Sequence, residues 1–222
     1  MSRILELSAF AVAAAAFAVG ALRLFRKGIP KYFKLYVCAA GCYMLEELWV
    51  FVNLLLGNGG QDGLVTVRLF GFFGCLCFML SANANEFDLV VDDVRDRKAR
   101  LISLAAPVAL LALYALYVFS PSNTKPAAAD IVGLISISPA LFAARYSLKH
   151  LLLPVDAMGF LPAIRGIDIA ALVFYAANYL YPHADLYCSK TVMAIYDLAL
   201  AVMLFAVMLL CMKGAKKWKA LL

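Results

Sequence analysis

Charge is scarce in this chain. Only 15% of its 222 residues are Asp, Glu, Lys or Arg, and 65% are hydrophobic, whereas a soluble domain is about a quarter charged and half apolar. No polar stretch is long enough to fold alone; the longest insert, around 91–100, falls far short of a domain. Histidine is almost missing: His150 and His183 fall near loops on opposite sides, which excludes a zinc site built from histidines, and no CxxC pair offers a cysteine-based one. Neither G-x-x-x-x-G-K-[ST] nor G-x-S-x-G occurs, so no metal, cofactor or catalytic set is implied and the chain leans away from being an enzyme. The six cysteines (Cys38, Cys42, Cys75, Cys77, Cys188, Cys211) lie mostly inside apolar runs, with only Cys188 in a loop. They read as small hydrophobic packers, not as a disulfide framework.

What the chain does have is long apolar runs. Seven of them, at 4–24, 33–56, 64–90, 99–120, 129–149, 160–181 and 190–212, each have about the 20 residues that cross a bilayer core. The fold class expected is an all-α integral membrane protein, a seven-transmembrane-helix bundle forming one membrane domain over 1–222. The first run, rich in alanine, is followed at once by Arg23, Arg26, Lys27, Lys31 and Lys34 without a clear cleavage site, a stop-transfer pattern rather than a signal peptide.

The net charge of +6 does not point to nucleic acid, because the charges sit in short loops beside apolar runs. All but four of the 20 basic residues (the exceptions are Arg3, Arg68, Lys125 and Lys190) fall on one side of the predicted spans. The positive-inside rule then predicts a multi-pass protein of the cytoplasmic membrane, N-terminus outside and C-terminus in the cytoplasm.

A faint internal repeat accompanies these spans. Arg23 and Lys27 leave the first span as Arg145 and Lys149 leave the fifth, with Pro30 and Pro154 after each pair. Further on, Asn53 corresponds to Asn178, and the turn residues Gly57 and Pro182 follow. This predicts a 3+1+3 parallel repeat, with halves 4–90 and 129–212 joined by a linker helix 99–120.

The residues that could carry chemistry are polar groups inside the apolar runs, where an ionisable side chain needs a partner, a proton or water. In the second span Glu46 and Glu47 are adjacent and about 100° apart on a helix, so both cannot face one partner. Cys38, Cys42, Glu46, Trp49 and Asn53 form the more polar stripe, which favours Glu46 as the interior group. It could be a protonation site coupled to a solute, a site for a cationic ligand, or a neutral carboxylic acid bonded between helices. In the sixth span Asp168, Ala171, Tyr175 and Asn178 share a face; Arg165, one turn earlier, is the alternative ion-pair partner of Asp168. Asp197 stands in the seventh span. The third carries Asn83, Asn85 and Glu86 as secondary candidates with Glu47, while Gly71 and Gly74 read as helix-packing positions and Arg68 as a snorkelling cation.

Known seven-span architectures constrain the reading further. Microbial rhodopsins need a lysine midway along the last span, and none lies between Lys190 and Lys213. Ceramidase-like hydrolases need more histidines than this chain contains. The sugar transporters with a three-plus-one-plus-three plan are similar in architecture, but their proline–glutamine pair is absent, since Lys31 and Val155 follow Pro30 and Pro154. The expected function is a small-solute carrier with a midplane site at Glu46, Asn53, Asp168, Tyr175, Asn178 and Asp197. A seven-helix receptor acting through a cytoplasmic protein partner is the alternative, and a membrane-embedded lipid enzyme a distant third. The lipid bilayer and an unidentified small molecule are the partners expected, with the basic tail Lys213–Lys219 resting on anionic lipid.

Overall fold

The computed structural model describes residues 2–56, 61–85, 97–152 and 161–221, and it is helical throughout, with no strand among the described residues. The helices are α1 (Ser2–Leu24), α2 (Lys31–Leu56), α3 (Gln61–Asn85), α4 (Arg97–Ser103), α5 (Ala105–Val118), α6 (Ala127–Leu152), α7 (Leu161–Tyr187) and α8 (Lys190–Leu221). Five helical stretches are long and apolar enough to cross a membrane: Arg3–Leu24, Lys31–Asn53, Arg97–Val118, Ala127–Leu152 and Lys190–Lys219. The sequence predicts seven. The apolar part of α3 among the described residues is Phe70–Ala84, too short to qualify. The described stretch of α7, which carries Arg165, Asp168, Asn178, Pro182, His183 and Asp185, does not qualify either.

Two prolines reshape the expected helices without ending the bundle. The predicted 99–120 helix is divided into α4 and α5 at Leu104, because Pro107 has no N–H to offer the carbonyl of Ser103. The chain tightens at this junction, with the Leu104 amide donating to the Leu101 carbonyl at 3.1 Å. Within α6, Pro139 likewise cannot serve the Ile135 carbonyl, and the Ser138 hydroxyl donates to that oxygen at 2.8 Å instead.

Packing follows a ring. α1 lies against α2, α2 against α3, α3 against α6, α6 against α7, α7 against α8, and α8 closes onto α1; α5 packs outside the ring on α6 and α7. α1 can approach closely because Ala9, Ala13 and Ala16 form its buried stripe, and small residues are how apolar helices gain dispersion contact where lipid is as greasy as leucine. The centre of the ring is aromatic: Tyr32, Tyr36, Tyr43, Tyr175, Tyr179, Phe33 and Phe174 are its largest fully buried side chains. The outer surface is the reverse of a soluble protein's, with Ile4 71%, Leu22 73% and Phe119 83% exposed. Large apolar side chains turned outward on apolar helices suit contact with a bilayer.

Candidate functional site

The interior holds two polar regions, one open and one closed. The open one is a cavity of about 640 Å³, within the usual range for small-molecule sites. It lies toward the end of the bundle where α5 and α7 finish and α6 and α8 begin. Glu46 enters from α2, Asn178 from α7 and Asp197 from α8, and Tyr43, Tyr114, Tyr117 and Tyr181 supply aromatic wall. Lys125 and Asp185 stand at the rim, 3.4 Å apart.

Close helix contacts shape this cavity. A methyl group on Gly71 would lie 2.7 Å from the Glu46 Cβ and 3.2 Å from the Cys42 carbonyl oxygen, so only glycine lets α3 meet α2 at the level of the carboxylate. At Gly133 a methyl would lie 2.6 Å from the Tyr114 hydroxyl, which donates to the Asp130 carbonyl and pins α5 to α6. The floor is held by hydroxyls. Tyr43 donates to the Asp197 carbonyl at 3.4 Å, and Tyr179 to the Ile137 carbonyl at 3.0 Å. On the α5 side His183 Nε2 donates to the Leu113 carbonyl at 2.8 Å, a bond that fixes its tautomer. Pro182 lines the cavity one turn beyond Asn178 and has no N–H to give the Asn178 carbonyl.

The Lys125 ammonium at the rim sits 5.8 Å from the centroid of the Tyr117 ring. Desolvation pulls its pKa down, but Tyr117 and Asp185 outweigh it and the net shift is upward. This lysine is therefore charged at neutral pH.

The closed region lies toward the basic end and is organised by Asn83. Its Oδ1 accepts from the Tyr36 hydroxyl at 3.2 Å. Its Nδ2 donates to Ser147 Oγ at 3.1 Å and to the Tyr175 hydroxyl at 3.5 Å. A single amide thus ties α2, α3, α6 and α7 together. Beside it the His150 ring and the Asp168 carboxylate form a buried pair at 3.4 Å. None of these residues lines the cavity.

Against this geometry the predicted residues divide. Glu46, Asn178 and Asp197 share the cavity, whereas Asp168 and Tyr175 belong to the closed region. The face Asp168–Ala171–Tyr175–Asn178 is buried along its length, but it runs through both regions. Asp168 pairs with His150, not with Arg165. Asn53 is not among the residues that line the cavity; its amide donates to the Trp49 carbonyl one turn back at 2.9 Å, and Trp49 itself is 39% exposed. Glu47 is as deeply buried as Glu46, at 1% and 5% exposure, although only one of the two lines the cavity. Asn83 is the hub of the closed network. The side chain of Asn85, and Glu86 altogether, lie outside the described residues.

Several participants were not among the predicted residues: the tyrosines other than Tyr175, Ser147 and His150. A signal for the first existed, because Tyr32, Tyr36 and Tyr43 recur at steps of four and seven, one helix face. His150 looked like a loop residue because α6 runs farther than the predicted 129–149 span.

A second depression, of about 460 Å³, lies between α1 and α8 at the basic end, and Arg23, Arg26, Lys213, Lys216 and Lys219 line it above an apolar floor. Comparison with known protein families, with characterised proteins and with solved structures finds no match for this chain.

Proposed function

We propose that this chain is a small-solute carrier of the cytoplasmic membrane, with α3 and α7 also crossing the bilayer and α4–α5 counting as one span. The observation that carries the proposal is the asymmetry of the interior: a cavity reaching Glu46, Asn178 and Asp197 from one end, and a hydrogen-bonded closure at the other. A carrier halted on one side of its cycle has this form. The distribution of basic residues supports an outward-facing cavity and a cytoplasmic closure.

Two halves, α1–α3 and α6–α8, would rock about this interior. The ring order supports the pairing, because α1 meets α8 as α6 meets α3, and each half has its own middle helix between its neighbours. Asn53 and Asn178, equivalent in the proposed repeat, also bond alike, each to the carbonyl four residues back, at 2.9 and 2.7 Å. Pro139 and Pro182 give α6 and α7 points at which to bend. The basic depression between α1 and α8 suits anionic headgroups at the cytoplasmic surface.

A receptor would use the same cavity as its ligand site and the Asn83 network as its switch, with a cytoplasmic protein reading the result. The lipid-enzyme reading could draw on an acid pair such as Glu46 and Asp197, or on Ser147, His150 and Asp168, residue types of a hydrolytic triad. In the latter set Ser147 Oγ accepts from Asn83, and none of the three lines the cavity, which weighs against it.

The test is a thermal-shift screen of the purified protein against a metabolite panel, wild type beside Glu46→Gln, followed by flux into vesicles. A ligand at 100 times its dissociation constant stabilises by about 2.7 kcal/mol. A shift lost in Glu46→Gln together with flux supports the carrier. A shift without flux, with a retained protein partner, would move the assignment to the receptor. Hits indifferent to Glu46→Gln would remove the cavity from either role.

A further inference from the structure

The depression where α8 closes onto α1 gathers cations from both helices. It holds about 460 Å³; Arg23 and Arg26 line it from α1, and Lys213, Lys216 and Lys219 from α8. The sequence spaces each set for one side of a helix, since successive members are three residues apart. Neither helix supplies an acid among them, because no Asp or Glu occurs in 7–45 or in 198–222. Arg26 Nε donates to the Leu22 carbonyl at 3.3 Å, which uses one of the five N–H groups of a guanidinium. Like charges collected around one space repel, and a bound anion relieves that repulsion.

The surfaces leading to the depression say what carries the anion. On α8, Val202, Ala206, Leu209 and Lys213 are exposed at steps of four, three and four, so one face runs from apolar to cationic. Leu209 and Lys213 are the point at which that face enters the depression. On α1, Ala15, Ala18, Leu22 and Arg26 are exposed in the same order. A free phosphate would use the cations alone. A phospholipid would use both parts, with acyl chains along the apolar faces and phosphate oxygens among the Arg forks and Lys point charges. Five cations around a space of this size suit a headgroup with more than one negative charge.

We propose that a phospholipid bearing at least two negative charges seats its headgroup in this depression and bridges α1 and α8. The inference shares with the proposed function only the placing of the basic end at the cytoplasmic surface, and it does not depend on the cavity taking a solute. The protein in neutral detergent is titrated with cardiolipin, which has two phosphates, with singly charged phosphatidylglycerol, with phosphatidylcholine and with inorganic pyrophosphate. The unfolding temperature is the readout. Cardiolipin is expected to raise it at the lowest concentration and phosphatidylglycerol at a several-fold higher one, while phosphatidylcholine and pyrophosphate leave it unchanged.

Lys216→Gln should weaken cardiolipin about fivefold, the scale of one basic residue at an anionic surface, and Arg23→Gln at least as much. Lys217→Gln is the control, because Lys217 has the same charge on the same helix but does not line the depression; it should leave the titration unchanged. All three side chains are exposed, so folding is not at stake. Equal weakening by Lys216→Gln and Lys217→Gln would reduce the site to diffuse attraction for membrane charge. Pyrophosphate acting as cardiolipin does would make it a site for a soluble anion, and phosphatidylglycerol acting equally would remove the need for a second charge. Each of these results, or silence from every lipid, overturns the proposal and leaves ligand shifts that depend on Glu46 untouched. A cardiolipin site without any such shift would instead leave the lipid assignment standing and the carrier without support.

Discussion

The two interior regions are made from the same helix faces and behave oppositely. On α2, Tyr32 and Tyr36 enter the closed network while Tyr43 and Glu46, two turns on, face the cavity. On α7, Asp168 and Tyr175 belong to the first and Asn178 to the second. The difference lies in where the side chains meet. Around Asn83 the polar groups reach one another directly at 3.1 to 3.5 Å. Around Glu46 the side chains stand apart, leaving about 640 Å³ between carboxylates and rings. Polar groups that bond directly to one another hold helices together, and incompletely filled space invites a ligand.

The most direct way to break this comparison is chemical access. With native cysteines replaced, Ser136→Cys on the cavity wall should react with a water-soluble thiol reagent, and Ser147→Cys in the closed network should react roughly a hundredfold more slowly, as expected for a site needing about 3 kcal/mol to open. Equal rates would show that the closure is not one. Added ligand should protect the first site only.

The closure should also be the more stabilising region. Asn83→Leu leaves the Tyr36 hydroxyl, Ser147 and Tyr175 without their common partner. Interhelical polar contacts in membranes contribute about 1 kcal/mol each, so a loss of about 2–3 kcal/mol is expected on thermal or denaturant unfolding. Glu46→Gln, which keeps the shape of a residue facing the cavity, should cost far less. A reversed order would mean that the cavity, not the network, holds the bundle together.

Much of this was legible from residue spacing, and the limits have physical causes. Apolar length alone specified membrane helices, because a bilayer core sets the number of residues needed. The stripe from Asp168 to Asn178 was legible as a buried face, since helical period decides burial. It could not show that one face serves two regions, which depends on what the neighbouring helices bring against it. Asn53 and Asn178 both bond to their own helix, yet only Asn178 lines the cavity; which of them faces it depends on the neighbouring helices, and spacing does not reveal that. The aromatic wall was hidden among ordinary apolar residues: a tyrosine in a membrane run reads as packing until the tyrosines of three helices are seen around one space.

A subtler effect tests how tightly the cavity is framed. Gly71→Ala would force a methyl to within 2.7 Å of Glu46 Cβ and crowd the Cys42 carbonyl, so α3 must move off α2. Overpacking of this kind costs about 1–3 kcal/mol, and ligand shifts should weaken along with stability. Gly166→Ala is the control in the closed half, because its methyl would sit at an ordinary 3.6 Å from Leu210 Cδ2. Helical glycine is itself a liability of about 0.5–1 kcal/mol relative to alanine, so this variant should be neutral or slightly more stable.

The smallest effect is expected at the rim. The Lys125–Asp185 pair joins side chains 46% and 50% exposed, and ion pairs of that exposure contribute between nothing and about 1 kcal/mol. Asp185→Asn should therefore change the unfolding temperature hardly at all, and what it does change should vanish at high salt. Its effect on a ligand entering the cavity is a different matter, since Asp185 lines the mouth whether or not Lys125 is held. A variant with unaltered stability and weakened ligand binding would place Asp185 on the entry path. A marked loss of stability would instead make the rim a structural latch, and the contrast between an open end and a closed one would have to be redrawn.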